Sequence, residues 1–300
     1  MEIIIGKTSG FCAGVKNAVA NAEKEIQKTN QKIHCLGELV HNKQVIQKLE
    51  KEGLETIENI EQAIGKTIIR AHGVSKQIYE KAKKRKIQLI DLTCPKVLKI
   101  HKIAEEYKKK NYFIILVGVE NHPESIGTIS FCGENSFMIR DKDDIEQAYQ
   151  KLKQTNLKNV LIIAQTTYNM KKFDEIVELI KKITGEQYNI EVKNTICTAT
   201  KLRQEETEKI SKEVDCMIIV GGKNSSNTKK LYDIAKLNCP KVELVETIND
   251  VDLKKIDKND KIGIMAGAST PNESVEQIKN AIMKQETGGK NETEYSISRA

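Results

Sequence analysis

The chain has 300 residues, a net charge of +7 at pH 7, 39% hydrophobic residues and 30% charged residues. This composition excludes an intrinsically disordered chain, and aromatic residues at only 4% disfavour stacking platforms for single-stranded nucleic acid. No apolar run approaches the roughly 20 residues of a membrane span, and the first residues lack the pattern of a signal peptide. We expect a cytoplasmic protein that binds neither nucleic acid nor membranes.

Short β-branched segments alternate with longer amphipathic segments along the chain. The clearest strand candidates are residues 67–70, 112–117, 160–164, 217–220 and 261–265, and the clearest helix candidates are residues 75–86, 171–182, 228–237 and 271–284. Strand, turn and helix repeated in this order predict an α/β fold with mostly parallel sheets. Residues 285–300 are polar and without periodicity, which predicts a disordered tail.

The turns between these elements repeat three times. Each repeat begins with a cysteine that precedes a helical segment, at Cys12, Cys94 and Cys197. A strand-ending glycine follows 25, 24 and 24 residues later, at Gly37, Gly118 and Gly221, and four residues beyond it lie His41, His122 and Ser225. A third turn begins at an alanine, at Ala71, Ala164 and Ala266. The repeat predicts three similar α/β domains with pseudo-threefold symmetry, over residues 1–92, 93–193 and 194–284.

The three cysteines of the repeat are candidates for a metal centre. Ligands of parallel sheets bind beyond the carboxyl ends of the strands, so three domains around one axis would bring three thiolates together. Thiolate sulfur selects zinc, copper(I) or an iron–sulfur cluster, and three cysteines leave one iron of a cubane without a protein ligand. The alternative is that these cysteines are small buried hydrophobes. The seven cysteines are odd in number and contain no C-x-x-C pair, which argues against a disulfide framework.

The other turns carry hydroxyl, amide and imidazole side chains, which suit an anion pocket at helix N-termini. They are His41, His72, His122, Thr166, Thr167, Ser225, Ser226, Asn227, Ser269 and Thr270. The alternative for the serines and threonines is helix capping. Glu124 is the one carboxylate in the middle of such a turn. It is either a candidate proton donor or an acid that stabilises a helix N-terminus.

Nine segments that contain these residues occur in an order that resembles one enzyme family. They are residues 10–15 (GFCAGV), 37–42 (GELVHN), 70–73 (RAHG), 91–95 (DLTCP), 122–124 (HPE), 165–167 (QTT), 195–197 (TIC), 222–227 (GKNSSN) and 268–271 (ASTP). The segments cover nearly the whole chain outside the predicted tail, and their number and order make the similarity specific. The chain resembles the 4-hydroxy-3-methylbut-2-enyl diphosphate reductase (LytB) family, which catalyses the last step of the non-mevalonate isoprenoid pathway.

The resemblance implies a trefoil of three α/β domains around one [4Fe–4S] cluster per chain. The implied cluster ligands are Cys12, Cys94 and Cys197. The implied substrate-binding residues are His41, His72, His122, Ser225, Ser226, Asn227 and Ser269 for the diphosphate, with Thr166 near the allylic end. The substrate hydroxyl would bind the open iron, and Glu124 would deliver the proton with which it leaves as water. Two electrons and two protons would give isopentenyl and dimethylallyl diphosphate, with a ferredoxin or flavodoxin as electron donor, and the positive net charge suits an acidic donor.

Two other classes of protein fit part of the pattern. A cluster-dependent dehydratase or condensing enzyme such as quinolinate synthase also resembles a design of three domains and three cysteines. It needs groups that bind carboxylates, whereas three histidines in turns fit a diphosphate better. A non-catalytic iron–sulfur sensor that binds nucleic acid would need a clustered basic face or a recognition helix. Neither is evident, and we therefore predict an iron–sulfur oxidoreductase.

Overall fold

The structure is a computed structural model that describes residues 2–286. The strands are β1 (Glu2–Ile5), β2 (Ile33–Leu36), β3 (Leu54–Ile57), β4 (Lys66–Ile69), β5 (Gln88–Asp91), β6 (Phe113–Val117), β7 (Ser136–Ile139), β8 (Asn159–Ala164), β9 (Asn189–Val192), β10 (Cys216–Val220), β11 (Lys241–Val245) and β12 (Lys261–Ala266). The helices are α1 (Ala13–Gln27), α2 (Lys43–Glu52), α3 (Lys76–Lys84), α4 (Pro95–Lys109), α5 (Pro123–Cys132), α6 (Ile145–Lys153), α7 (Met170–Thr184), α8 (Thr198–Ser211), α9 (Ser226–Lys236) and α10 (Asn272–Glu286).

The predicted strands and helices are all present, with ends that differ by no more than two residues. Within residues 2–286 the strands form three four-stranded sheets, with the orders β3-β2-β4-β5, β7-β6-β8-β9 and β11-β10-β12-β1. Every strand pair in them is parallel. The predicted α/β fold of three similar units is therefore confirmed. Of the predicted tail, residues 285 and 286 continue α10, and residues 287–300 lie outside the described residues.

The first strand belongs to the third sheet. Residues 2–5 pair with β12 in a register that places Glu2 beside Lys261 and Ile5 beside Ile264. The side chains of Ile3 and Ile5 pack against the apolar core of that sheet. A unit that spans residues 1–92 would therefore lose its first strand to the third unit. The predicted domain boundaries stay a prediction, with residues 2–5 as the segment that crosses them.

With β1 counted in the third sheet, the three repeats are equivalent. Each sheet ends in an edge strand whose following turn carries a cysteine: β5 precedes Cys94, β9 precedes Cys197 and β1 precedes Cys12. The glycines of the repeat make the same backbone contact in each unit. The Gly37 N–H donates to Ile57, that of Gly118 to Ile139 and that of Gly221 to Val245, at 2.8, 2.9 and 2.8 Å. The predicted repeat of cysteine and glycine turns is thus a repeat of the structure.

The predicted alignment of the third turn was wrong by two residues in the first unit. Ala164 and Ala266 are the last residues of β8 and β12, whereas β4 already ends at Ile69. The backbone N–H of each cysteine identifies the equivalent residues. Cys12 donates to Ala268, Cys94 to Ala71 and Cys197 to Thr166, at 3.0, 2.9 and 2.9 Å. The counterparts of Ala71 are therefore Thr166 in the second unit and Ala268 in the third, each two residues beyond the end of its strand.

The apolar core lies on both faces of each sheet, as expected for parallel sheets covered by helices. In β6, for example, Phe113, Ile115 and Val117 face one core, while Ile114 and Leu116 face the other. The four cysteines without counterparts in the repeat are buried in these cores; they are Cys35, Cys132, Cys216 and Cys239. Among the described residues, no helix combines the length and hydropathy that crossing a bilayer requires.

Candidate active site

The carboxyl ends of the strands surround one central cavity. Its empty volume is about 720 Å³, which includes its opening to solvent. All twelve predicted site residues line it: Cys12, Cys94, Cys197, His41, His72, His122, Glu124, Thr166, Ser225, Ser226, Asn227 and Ser269. Thr167 lines it too, whereas the Thr270 hydroxyl donates to the Val220 carbonyl and is absent from the lining. The repeat therefore brings together side chains from all three units.

The three cysteines occupy the same position in their units, directly before a helix. Cys12, Cys94 and Cys197 are the N-cap residues of α1, α4 and α8, with ψ angles of 162°, 131° and 135°. At Cys12 the thiol itself accepts the backbone N–H of Val15, at 3.5 Å. A helix N-terminus stabilises negative charge and thereby favours a thiolate. Three such positions around one cavity are suited to a cationic metal centre.

The thiols lie close to one another. A methyl group placed on Gly14 would be 2.7 Å from the sulfur of Cys94 and 3.9 Å from that of Cys12, so a side chain at this position would fill the space between them. Burial raises the pKa of the Cys94 thiol, and the neighbouring thiols of Cys12 and Cys197 raise it further. A soft metal centre that binds all three sulfurs would neutralise this mutual repulsion.

Three imidazole rings pack against each other on another side of the cavity. The ring centroids of His41 and His72 are 4.1 Å apart, and that of His122 lies 5.4 and 5.5 Å from them. One ring nitrogen from each of the three histidines can be chosen so that all three nitrogens lie within 4.8 Å of one another. Burial lowers the pKa of His72 well below its usual value and that of His122 to about 3, and neighbouring histidines add to both shifts. Both rings are therefore neutral at pH 7.

The hydrogen bond to His122 identifies which of its nitrogens carries the proton. The backbone N–H of Glu124 donates to Nδ1 of His122 at 3.1 Å. Nδ1 is therefore an acceptor, and in a neutral ring the proton is on Nε2. Other polar atoms of the lining are buried and have no partner: Nε2 of His41, Nδ1 of His72, and both amide atoms of Asn227. Buried polar atoms without partners are costly, so this set is suited to a polar ligand.

Glu124 lies in the first turn of α5 and is almost completely buried, with 2% of its surface exposed. Its two carboxylate oxygens accept hydrogen bonds from Thr166, one from the backbone N–H and one from the hydroxyl, each at 2.6 Å. Burial raises the pKa of Glu124 to about 7, although both hydrogen bonds from Thr166 act in the opposite direction. A carboxyl group with this pKa is suited to proton transfer near neutral pH.

The family model described as LytB protein matches residues 3–283. The chain belongs to the LytB family. A 4-hydroxy-3-methylbut-2-enyl diphosphate reductase of Clostridioides difficile is 40% identical over 280 residues, which cover 93% of this chain and 98% of that relative. A relative of the same name from Thermoanaerobacter sp. is 41% identical over 295 residues, with coverage of 96% and 99%.

Solved structures agree with this assignment. The structure of E-1-hydroxy-2-methyl-but-2-enyl-4-diphosphate reductase from Plasmodium falciparum has a TM-score of 0.86 at 33% identity, covering 93% of this chain and 87% of that chain. A second structure is described as (E)-4-hydroxy-3-methyl-but-2-enyl diphosphate reductase, the terminal enzyme of the non-mevalonate pathway. It has a TM-score of 0.67 at 37% identity, covering 95% of this chain and all of that chain.

The sequence of this LytB-family chain also contained lining residues that we did not predict. Val15, Val97 and Thr200 all line the cavity, and each lies three residues after a cysteine of the repeat. They occupy the first turn of α1, α4 and α8, so extending the repeat by one helical turn would have identified them. Lys96, next to Cys94 and Pro95, lines the cavity as well. The equivalent positions, two residues after Cys12 and Cys197, are Gly14 and Ala199, so the repeat did not indicate a lysine there.

The pKa of Glu124 predicts how stability depends on pH. The native carboxyl binds its proton more tightly than the unfolded one, whose pKa is near 4.5. The free energy of unfolding should therefore fall as pH rises from 4.5 through 7, by roughly 3 kcal/mol relative to Glu124→Gln. Denaturant titrations at several pH values test this. Glu146→Gln, which changes an exposed acid in the first turn of α6, is the control. Parallel pH profiles of wild type and Glu124→Gln would contradict the raised pKa.

Proposed function

We propose that this protein is a 4-hydroxy-3-methylbut-2-enyl diphosphate reductase that produces isopentenyl and dimethylallyl diphosphate, in the last step of the non-mevalonate pathway. The observation that carries the proposal is the convergence of three thiols, three imidazoles and one buried acid on a single cavity in a LytB-family chain. The net reaction adds two electrons and two protons to the allylic alcohol and releases water. It needs an electron source, a site for the diphosphate and a proton donor.

Cys12, Cys94 and Cys197 are the proposed ligands of a [4Fe–4S] cluster. Three sulfur donors at three helix N-termini fit such a group, and Gly14 leaves the space between two of them free. When bound, the cluster supplies electrons one at a time and a Lewis-acidic iron that lacks a protein ligand. Valines at positions 15 and 97 provide an apolar boundary beside the thiols, and this limits the access of water.

The diphosphate is proposed to bind between the imidazoles and the first turn of α9. His122 and Ser225 are the N-cap residues of α5 and α9, and His41 directly precedes Asn42, the N-cap of α2. Three helix N-termini thus contribute backbone N–H groups and positive dipole ends to one place, which is a favourable site for an anion. The unpartnered amide of Asn227 and ring nitrogens of His41 and His72 are available as further contacts.

Glu124 is proposed to deliver the proton with which the hydroxyl leaves as water. Its pKa of about 7 keeps a large fraction of the carboxyl protonated at neutral pH. The hydroxyl of Thr166 is bonded to a carboxylate oxygen, so it fixes the orientation of the acid and lies beside the leaving group. The reaction requires a second proton for the carbon skeleton. The diphosphate oxygens of a bound substrate and the neighbouring hydroxyls of Thr167 and Ser226, 3.2 Å apart, are among the proton carriers available for it.

The electron donor is proposed to be a ferredoxin or a flavodoxin. Such donors are acidic, and the net charge of +7 favours their association with this chain. All seven cysteines are free thiols, as is typical of a reducing compartment. We therefore propose that the enzyme acts in the cytoplasm.

An anaerobic preparation tests the cofactor first. Purified protein should contain about four irons per chain and show a broad brown absorbance. Cys94→Ala should lose iron and turnover, because no other soft ligand replaces the thiolate. Cys239→Ala, which removes a thiol buried in the apolar core, should keep both. Stoichiometric zinc in the wild type, or an iron-replete and active Cys94→Ala variant, would refute the assignment.

The anion pocket is tested by diphosphate inhibition. Ser225→Ala and His41→Ala should each weaken binding by about 1.5–3 kcal/mol, because each removes a donor to a charged group. This corresponds to roughly a tenfold to hundredfold higher inhibition constant, with an unchanged iron–sulfur spectrum. Asn169→Ala is the matched control for Ser225→Ala, since it removes the N-cap of α7 outside the cavity. Equal inhibition constants for Ser225→Ala, His41→Ala and wild type would remove these residues from the pocket.

The role of Glu124 as an acid is tested by turnover with an artificial one-electron donor. Glu124→Gln keeps the shape of the side chain but has no transferable proton, so turnover should fall about 10²–10⁴-fold. Iron content and diphosphate inhibition should stay at the wild-type level. A fall of only a few-fold would show that Glu124 serves only the stability of α5.

A further inference from the structure

Arg203 is a buried cation that connects two of the cysteine segments. It lies in the second turn of α8, and 5% of its surface is exposed. Its Nη2 donates to the carbonyl of Gly10, two residues before Cys12, at 2.7 Å. Its Nη1 donates to the carbonyl of Ala199, two residues after Cys197, at 3.0 Å. One guanidinium therefore holds the turn after β1 against the start of α8.

No carboxylate of the described residues forms an ion pair with this charge. Among residues 2–286, Arg203 forms no ion pair within 4.0 Å, and its buried Nε has no hydrogen-bond acceptor. Glu206, one turn further along α8, instead accepts hydrogen bonds from Lys7 and Thr8. A buried charge without a partner is strongly unfavourable. The Glu206 carboxylate therefore acts on Arg203 only from beyond ion-pair distance, and less strongly than the thiols of Cys12 and Cys197.

The thiols of Cys12 and Cys197 are the negative groups that act most strongly on Arg203. Burial lowers the pKa of Arg203, and the nearby thiols of Cys12 and Cys197 counteract that shift. A [4Fe–4S] core in its oxidised state carries two positive charges, and three thiolates carry three negative ones, so the complete centre has one net negative charge. One-electron reduction adds a second. A fixed cation beside the centre stabilises both states, and it stabilises the reduced state more.

We propose that Arg203 is the counter-ion and a positioning residue of the metal centre, whose charge favours reduction and whose hydrogen bonds hold the Cys12 and Cys197 segments together. This inference rests on the proposed function, because it assumes a cluster bound by these cysteines. It adds a residue outside the cavity lining to the redox chemistry of the site.

Redox titration of the anaerobic holoenzyme tests the charge. Arg203→Met should shift the reduction equilibrium at least about tenfold towards the oxidised state, a potential about 59 mV more negative for one electron. Arg203→Lys keeps the charge and should stay much closer to the wild type, but its iron should be lost faster to a chelator because the fork of two hydrogen bonds is gone. Arg85→Met is the control; it removes the charge of the exposed C-cap residue of α3, whose Nη2 also donates to a backbone carbonyl, that of Glu61, and it should change neither readout.

Melting of the apoprotein separates this role from a purely structural one. Without the centre, Arg203 contributes its hydrogen bonds to Gly10 and Ala199, so a purely structural role would make Arg203→Met lower the melting temperatures of apoprotein and holoprotein equally. As a counter-ion, Arg203 adds stability only when the centre is bound, so the holoprotein should lose more. A variant that folds as apoprotein but retains no iron would also support the inference. Equal falls in the melting temperatures of apoprotein and holoprotein, or a holoprotein with unchanged potential and iron loss, would overturn it. A wild type that binds no iron would instead overturn the proposed function.

Discussion

The arrangement of the cavity depends on one hydrogen bond that occurs three times. In each unit the N–H of the cysteine donates to the carbonyl of the turn after the neighbouring strand, at Ala268, Ala71 or Thr166. The bond extends the pairing of the two strands beyond their last residues. It holds the edge-strand turn in an extended conformation at the carboxyl end of the sheet, and the next helix begins directly there. The thiol position is therefore set by backbone pairing, which any side chain allows, while the cysteine itself supplies only the chemistry.

Burial determines the charge of three groups in the cavity, His72, His122 and Glu124. It keeps His72 and His122 neutral and raises the pKa of Glu124. Neutral imidazoles donate hydrogen bonds to an anion without competing for the proton of the acid. The positive potential then comes from the N-termini of α2, α5 and α9, which do not titrate, and from the cationic side chain of Lys96. The proposed anion site, built from dipoles and neutral donors, keeps its affinity across a wide pH range, whereas the proposed proton delivery is tied to one group.

The cysteine and glycine turns could be predicted because their spacing repeats within the sequence. The strand β1 could not, because its partner β12 lies about 260 residues away and three isoleucines alone do not specify a sheet. The alignment of the alanine turns failed by two residues because alanine marks the strand end at Ala164 and Ala266 but lies two residues beyond it at Ala71. Gly14 and Arg203 depend on contacts between units, at Cys94 and at Gly10. Such contacts are fixed by packing in three dimensions, and local patterns do not record them.

The buried polar atoms without partners lower the stability of the fold at this site. Ten buried side-chain atoms of the described residues have no partner, and four of them belong to the cavity-lining residues His41, His72 and Asn227. Each such atom lowers the stability of the ligand-free protein. The raised pKa of Glu124 lowers it further near neutral pH. A ligand that completes these bonds adds its binding energy to the stability of the native state alone. The site is therefore organised before the substrate arrives, and this removes the cost of ordering the donors from the binding step.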